Sequence, residues 1–278
     1  MTDNINWYPG HMKKTRELIQ ENLKLVDLVI ELLDARMPIS SRNPVIGELT
    51  ASRTRLTVLN KADLADPDTT IEWEKKLAEN GGFVMSLNSN SGEGAKKLLS
   101  VLEKIQEDKN SDRERKKNLR MMIVGIPNVG KSSLINRLIV RKAAKTGDKP
   151  GVTRGKQWLT LSNGMMLLDT PGILWPKFED PSVGLHLAFC GSIRDEIMDM
   201  TDLGFELIKE LLEVSPELLR ARYRVSEETE GALPVMEEIA RNRGFIMSGG
   251  RTDYERTART VLDEFRSAAI GRISLERP

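Results

Sequence analysis

A glycine-rich segment at residues 125–132, GIPNVGKS, fits the pattern G-x-x-x-x-G-K-[ST]. An apolar run precedes it and a helical pattern follows it, as a phosphate-binding loop requires. In such a loop, backbone N–H groups at a helix N-terminus surround phosphate oxygens. Lys131 would reach the β and γ oxygens, and the Ser132 hydroxyl would ligate Mg²⁺. The segment therefore predicts a nucleoside triphosphate site, with a chance glycine turn as the alternative.

A second segment, D-T-P-G at residues 169–172, follows an apolar run downstream of the glycine-rich loop. A carboxylate at a strand end can hold Mg²⁺ directly or through water, and the Gly172 N–H can contact a γ-phosphate. Thr153 lies between the two segments and could offer a hydroxyl to Mg²⁺. A D-T-P-G turn alone is a common strand exit, but its partnership with the first loop predicts a nucleotide-sensing switch with Asp169 as a metal ligand.

The segment N-K-A-D at residues 60–63 matches a guanine-binding signature. Its carboxylate, Asp63, would accept hydrogen bonds from guanine N1 and N2 and so reject adenine. Asn60 would support the loop, and Lys61 would cover the base with its apolar stem. A capped strand-to-helix turn is the alternative, because Asn and Asp favour such positions.

Asn88 and Ser89 follow the next apolar run, where GTPases place a loop whose backbone contacts guanine O6. An ordinary polar loop is the alternative. The predicted guanine-binding residues are Asn60, Lys61, Asp63, Asn88 and Ser89. The predicted phosphate-binding residues are Asn128, Val129, Gly130, Lys131, Ser132, Ser133, Thr153 and Gly172. Mg²⁺ is the expected cofactor, with Ser132, Thr153 and Asp169 as its ligands.

Short apolar runs that alternate with helical patterns must position these motifs. Such runs are typical of strands buried on both faces of a parallel sheet. The predicted strands are 28–33, 56–59, 83–87, 121–124 and 165–168, and the predicted helices are 15–26, 71–79, 95–105 and 133–140. After about Leu203 only helical signals remain, with N-caps expected at Ser215 and Thr252. The alternation predicts an α/β fold with a mostly parallel sheet, helices on both faces and a small all-α C-terminal domain.

The guanine motif precedes the phosphate loop, which reverses the order of an ordinary Ras-like GTPase domain. The domain is therefore predicted to be circularly permuted, which such folds tolerate because their termini lie close together at the surface. Residues 108–118, DKNSDRERKKN, contain no apolar side chain and suit the joining linker. We expect a permuted domain over residues 1–200 and a helical domain over 201–278.

Composition narrows the classes of protein further. The 42 basic and 41 acidic side chains give a formal net charge of +1, which excludes a wholly basic nucleic-acid coat protein. The lone cysteine, Cys190, cannot form an internal disulfide, so a reducing compartment fits. The sequence contains no apolar run long enough to span a membrane and no signal-like leader. A cytoplasmic monomer is expected.

Two further segments complete a resemblance to a known family. Residues 7–12, WYPGHM, and 34–38, DARMP, together with the permuted motif order, resemble the bacterial ribosome biogenesis GTPase A family. Motifs carry the resemblance over about residues 5–200, and architecture carries it beyond. It implies a GTPase that assists late maturation of the large ribosomal subunit, with a C-terminal helical domain that contacts ribosomal RNA.

Hydrolysis needs a group that orients the attacking water. Ile173 stands where Ras-like enzymes carry a glutamine, so slow intrinsic turnover and acceleration by a partner are expected. The resemblance points to His11 as the replacement, giving His11, Lys131 and Thr153 as the predicted catalytic residues; a structural His11 beside the first helix is the alternative. Asn128 resembles the asparagine of GTPases that use K⁺, although it could equally stabilise its loop.

His186 and Cys190 are expected to be structural. Residues 241–278 carry eight arginines against five acidic residues, a modest basic face compatible with RNA phosphates or with a solvated surface. The main hypothesis is an assembly switch whose GTP form docks on the pre-large-subunit and whose hydrolysis releases it. The alternative is a signalling module with a non-ribosomal protein partner. A metabolic kinase is disfavoured by the guanine motif.

Overall fold

The computed structural model describes residues 9–79, 81–139, 158–161, 163–172, 174–175, 178 and 180–278, with side chains from residue 16 onward. The strands are β1 (Leu28–Asp34), β2 (Thr54–Asn60), β3 (Phe83–Leu87), β4 (Arg120–Gly125), β5 (Trp158–Thr160) and β6 (Met166–Leu168). The helices are α1 (Pro9–Leu23), α2 (Pro44–Thr50), α3 (Pro67–Ala78), α4 (Ala95–Asn110), α5 (Lys131–Leu138), α6 (Pro181–Phe189), α7 (Met200–Val214), α8 (Pro216–Tyr223), α9 (Ala232–Arg243) and α10 (Tyr254–Arg266).

The strands form one six-stranded sheet in the order β3-β2-β1-β4-β6-β5. All pairs are parallel except the pair of β5 with β6. The chain steps outward from β1 to β3, then starts again at β4 on the other side of β1. Strand order therefore reverses between β1 and β4, and ligands of open α/β sheets bind in the crevice at such a point.

Helices cover both faces of the sheet, as predicted. One face of β1, with Leu28, Ile30 and Leu32, belongs to a large core that includes residues of α4 and α5. The opposite face packs Val29 against α1, and Leu33 belongs to a cluster with Trp73 of α3. Burial on both faces explains why β1 is a nearly continuous apolar run, interrupted only by Glu31.

The helical part packs closely around α7 and α10. A side chain at Gly204 of α7 would overlap Ala258 of α10, so only glycine permits this approach. The large core continues from the sheet into these helices through residues such as Leu207 and Phe265. No strand follows β6 among the described residues, so the all-helical part begins with α6. The predicted domain boundary between residues 200 and 201 stays a prediction. In the part of the chain that the structure describes, no helix is long and apolar enough to cross a membrane.

The predicted α/β fold with its mostly parallel sheet is confirmed, and several local predictions need correction. Helix α1 ends at Leu23, and the elements α2, β5 and α6 were not predicted. The N-cap of α10 is Asp253, whose carboxylate accepts from Arg256 N at 3.0 Å, because Thr252 is occupied in an antiparallel bridge. Ser215 holds the predicted cap position of α8 without a side-chain cap bond.

Candidate functional site

The parallel strands bring the motifs to one edge of the sheet. Asn60 pairs with Asp34 at the ends of β2 and β1. On the other side of β1, β4 ends at Gly125, which pairs with Leu32. The segment 169–172 leaves the same edge after β6. Segments far apart in the chain thus converge where β1 and β4 diverge, which is the crevice expected to bind a ligand.

The glycine-rich loop joins β4 to α5 through backbone conformations that need glycine. Gly125 has φ +157° and a side chain there would lie 2.7 Å from Leu32 O. Gly130 has φ +102° and directly precedes α5, which begins at Lys131. The loop therefore delivers the N-terminus of a helix to the crevice, where its unpaired N–H groups favour an anion.

Lys131 is nearly buried under this loop. Its Nζ donates to Gly125 O at 3.0 Å and to Ile126 O at 2.8 Å. Burial lowers the pKa of Lys131 to about 8, and the nearby carboxylate of Asp169 opposes this shift. A desolvated ammonium whose partners are neutral carbonyls gains from anionic oxygens, so the position suits phosphate.

The segment after β6 faces this lysine. The backbone at Gly172 approaches so closely that a side chain there would lie 2.8 Å from Lys131 Nζ and 2.9 Å from the Pro127 backbone. The Thr170 hydroxyl donates to Ile123 O and fixes the segment to β4. Partial burial raises the pKa of the Asp169 carboxyl, while Lys131 opposes the rise.

A cavity of about 850 Å³ lies between the loop and this segment. It is lined by Leu18, Asn22, Pro127, Asn128, Gly130, Lys131, Ser132, Ser133, Leu168, Asp169, Thr170, Pro171 and Gly172. Ser132 and Asp169 face this cavity with oxygen donors, which Mg²⁺ prefers. Within the described ranges no group of three or more His, Cys, Asp or Glu could hold a metal. A single carboxylate with a hydroxyl fits an ion that is also held by phosphates.

The guanine motif is bonded directly to the phosphate loop. Asn60 is fully buried, and its Nδ2 donates to Val129 O at 2.7 Å and to Ser89 Oγ at 3.0 Å. Its Oδ1 accepts from Ser89 N at 3.0 Å. A side chain at Gly130 would overlap Asn60 Nδ2. One amide therefore holds three predicted nucleotide-binding segments in a fixed relation.

Lys61 and Asp63 follow Asn60 in the motif. Lys61 has φ +60°, and its Nζ forms an ion pair of 3.0 Å with the buried Asp34. Arg36 also pairs with Asp34, at 2.8 Å, and both cations hold the pKa of the Asp34 carboxyl well below its usual value despite burial. The side chain of Asp63 is exposed. Through Asp34, the DARMP segment thus holds the lysine of the guanine motif in place by an ion pair.

The loop after β3 contributes Asn88 and Ser89. Asn88 uses its side chain within its own turn, where Oδ1 accepts from Asn90 N at 2.9 Å. Arg137 of α5 donates to Ser89 O at 3.4 Å and also to Asn90 O. A second cavity of about 550 Å³ lies beside this loop and α5.

Asn128 has φ +57°, and its Nδ2 donates to Gly191 O at 2.7 Å just after α6. This bond supports the loop-stabilising alternative for Asn128 and leaves its amide oxygen as the atom for a cation. Thr153, Ile173 and the side chain of His11 lie outside the described residues.

His186 and Cys190 lie away from the described cavities, among structural contacts. His186 Nδ1 lies 3.0 Å from Ser40 Oγ, and its Nε2 lies 3.4 Å from Glu210 Oε1. Although burial lowers it, the pKa of His186 rises to about 9 because Glu210 and Glu276 favour the charged ring. Cys190 is buried, and burial raises the pKa of its thiol to about 12.

Sequence reasoning missed two residues at the site. Asn22 of α1 lines the cavity of about 850 Å³. The sequence could have indicated it, because Asn22 is a polar residue that interrupts the apolar stripe of the helix. Among the residues that the structure describes, its buried Oδ1 has no hydrogen-bond partner. Arg137 gave no signal, because a basic residue near the end of a helix is ordinary.

Comparisons with known proteins extend over the sheet and the helical part. The family described as 50S ribosome-binding GTPase matches residues 120–229. Ribosome biogenesis GTPase A of Bacillus cereus is 46% identical, over 99% of this chain and 94% of that protein. Mitochondrial ribosome-associated GTPase 1 of Mus musculus is 34% identical, over 99% of this chain and 91% of that protein. The crystal structure of GNP-bound YlqF from T. maritima superposes with a TM-score of 0.67 at 30% identity, over 95% of this chain and 98% of that one.

Proposed function

Because the chain belongs to the ribosome biogenesis GTPase A family, we propose that its partner is the precursor of the large ribosomal subunit. The protein is a GTPase that hydrolyses GTP and acts in ribosome assembly. In the proposal it docks on the pre-subunit and its RNA in the GTP form, docking accelerates hydrolysis, and hydrolysis releases it. We propose that it does so in the cytoplasm, as a monomer. The names of the relatives do not favour a non-ribosomal signalling partner.

The observation that carries the nucleotide assignment is the set of three hydrogen bonds made by the side-chain amide of Asn60. Its amide joins the guanine motif, the Ser89 loop and the carbonyl of Val129 in the phosphate loop. A guanine held by Asp63 and phosphates held at the start of α5 would then be parts of one ligand. A polar group that hydrogen-bonds the 2-amino position discriminates strongly against bases that lack it.

The phosphate end of the ligand would lie in the larger cavity. Lys131 would exchange its two carbonyl partners for β and γ oxygens, and backbone N–H groups from residues 128–133 would surround the phosphates. Ser132 and Asp169 would hold Mg²⁺, which neutralises charge on the phosphates when it is bound. The Gly172 N–H would sense the γ-phosphate.

We propose three further roles, for Thr153, for His11 and for a cation beside Asn128. Thr153 is proposed to complete the Mg²⁺ site in the GTP form, and His11 is proposed to orient the attacking water. K⁺ beside Asn128 would add positive charge near the phosphates, where transition-state charge develops. Each role makes hydrolysis depend on an arrangement that a docked partner can complete.

RNA contacts are proposed for the helical part and the linker. Residues 111–118 are exposed and include Arg113, Arg115, Lys116 and Lys117. Some of the predicted basic face is used inside the protein, because Arg266 pairs with Asp195 at 2.8 Å. Exposed cations that bind RNA phosphates release counterions, so we expect binding to weaken steeply with salt.

An exchange of nucleotide specificity tests the proposal. Asp63→Asn should lose GTP and gain xanthosine triphosphate, because an amide can donate to the xanthine 2-oxygen. We expect the variant to sediment with purified large ribosomal subunits in a non-hydrolysable xanthosine triphosphate analogue and not in the guanosine analogue. Asp68→Asn, in the first turn of α3, is the matched control and should keep guanosine dependence. Sedimentation of Asp63→Asn that ignores the nucleotide would contradict a nucleotide-controlled docking step.

A further inference from the structure

The chain continues beyond α10 into a segment that returns to the sheet. We call residues 267–278 the C-terminal strap. Ile270, Ile273 and Leu275 of the strap are buried. Gly271 has φ +148° and lies so close to α8 that a side chain would meet Leu218 Cδ1 at 2.8 Å. The strap is therefore a packed element of the fold.

The strap binds the backbone that carries the guanine motif. Arg272 Nε donates to Ala65 O at 2.8 Å, and its second terminal nitrogen donates to Ala62 O at 2.7 Å. Ile273 N donates to Leu64 O at 3.2 Å. Ser274 Oγ accepts from Asp66 N at 3.2 Å.

These four hydrogen bonds fix the backbone on both sides of Asp63. They hold the residue directly before it and the three directly after it, whereas its own side chain is exposed. The β2 side of the loop is fixed separately, by Asn60 and by the bond from Ala62 N to Leu87 O. A carboxylate that must accept two hydrogen bonds from one base edge needs a fixed backbone.

The far end of the strap is anchored on the segment that follows β1. Leu275 N donates to Arg36 O at 2.8 Å, and the Glu276 carboxylate accepts from Ile39 N at 2.6 Å and Ser40 N at 2.9 Å. Trp73 Nε1 of α3 donates to Glu276 O at 3.1 Å. The backbone that carries Arg272 is therefore fixed, because the strap is bonded both to the segment after the guanine motif and to the segment after β1.

We propose that the C-terminal strap is a guanine-specificity element, in which Arg272 is a positioning residue for Asp63. The inference rests on the proposed reading of guanine by Asp63. The planar guanidinium suits this task, because its fork of donors bonds two carbonyls at a fixed spacing. Loss of the fork leaves the loop with fewer restraints, and the two-bond contact with the base becomes harder to form.

The test compares GDP with inosine diphosphate, which lacks the 2-amino group. Arg272→Ala is expected to bind GDP about tenfold more weakly and inosine diphosphate only about threefold more weakly, as measured by calorimetry. The preference for GDP then narrows about threefold. General loosening of the fold would lower the active fraction or both affinities together, and would leave this ratio unchanged.

Two further variants complete the design. Arg259→Ala removes an arginine from α10 that pairs with Glu255, and should leave both affinities unchanged. Ser274→Ala removes one bond of the strap and should narrow the preference less than Arg272→Ala, so it carries the test if the arginine variant does not fold. An unchanged GDP preference in Arg272→Ala, or in Ser274→Ala if the arginine variant does not fold, would overturn the inference.

Asp63→Asn separates this inference from the assignment on which it rests. A switch of Asp63→Asn to xanthosine diphosphate, with no effect of Arg272→Ala, would remove the strap and keep the guanine assignment. Retention of GDP preference by Asp63→Asn would remove the assignment of Asp63 itself.

Discussion

The buried amide of Asn60 is the connection whose loss the structure predicts most sharply. Asn60→Ala removes two hydrogen bonds from Nδ2 and one to Oδ1, at lengths of 2.7 to 3.0 Å. A typical intramolecular hydrogen bond contributes about 1 kcal/mol net, and an unpaired buried partner costs more. The expected loss in the free energy of unfolding is therefore about 3 kcal/mol.

The same substitution should weaken nucleotide binding in the protein that remains folded. Without the amide, Val129 O in the phosphate loop and the Ser89 loop are no longer tied to the guanine motif. We expect the dissociation constant of GDP to rise at least tenfold, on the order of 1.4 kcal/mol. Urea unfolding of the nucleotide-free protein would measure the first effect, and calorimetric GDP titration would measure the second.

Asn242 offers a control amide in the helical part that is exposed, in contrast to the buried Asn60. Its Nδ2 donates to Tyr223 O and Arg224 O, both at 3.0 Å, within the helical part. Asn242→Ala removes two hydrogen bonds at an exposed position, where water can replace them, so it should lose at most about 2 kcal/mol of stability and keep its GDP affinity. If Asn60→Ala loses stability but binds GDP like the unsubstituted protein, the idea that this amide joins the two halves of the site is refuted.

Three other predictions follow from buried charges. Lys131→Ala should abolish detectable GTP binding in calorimetry, and retained binding would contradict its phosphate role. Arg36→Ala should lower the free energy of unfolding by about 3 kcal/mol in urea, because it leaves Asp34 buried with one cation fewer; a loss under 1 kcal/mol would contradict this. Because the pKa of His186 is raised to about 9, its contribution to stability, at most about 3 kcal/mol, is fully present below pH 6.5 and is lost as pH rises through about 9. Glu276→Gln should move that loss in urea stability to lower pH, and an unchanged pH profile would count against the pairing.

Local patterns made much of the sheet predictable. The β1 run is apolar because both of its faces are buried, and its end at Asp34 marks the site edge. The motif order alone predicted the permuted connection, which the strand order bears out. β5 was harder to predict, because only three residues pair at the sheet edge and its strand has no buried run.

Contacts between distant parts of the chain could not be predicted in this way. Arg272 lies more than 200 positions from Ala62 and Ala65, and nothing in its local sequence distinguishes it from a solvated arginine. Thr252 had the right spacing for a cap, but its pairing with Ile246 took precedence. The positions of Asn60 and Lys131 at the site edge of the sheet were predictable because both belong to short motifs that follow strands, whereas the strap depends on tertiary packing.

The central claim is that docking on the large ribosomal subunit activates this GTPase. Its most direct test is GTP turnover in K⁺ buffer, measured for the protein alone, with purified large subunits and with their precursors, and with His11→Ala in parallel. We expect slow turnover of the protein alone, strong stimulation by the particles, and loss of that stimulation in His11→Ala with GTP affinity retained. Turnover that neither large subunits nor their precursors change, while GTP binding is intact, would contradict activation by the ribosome.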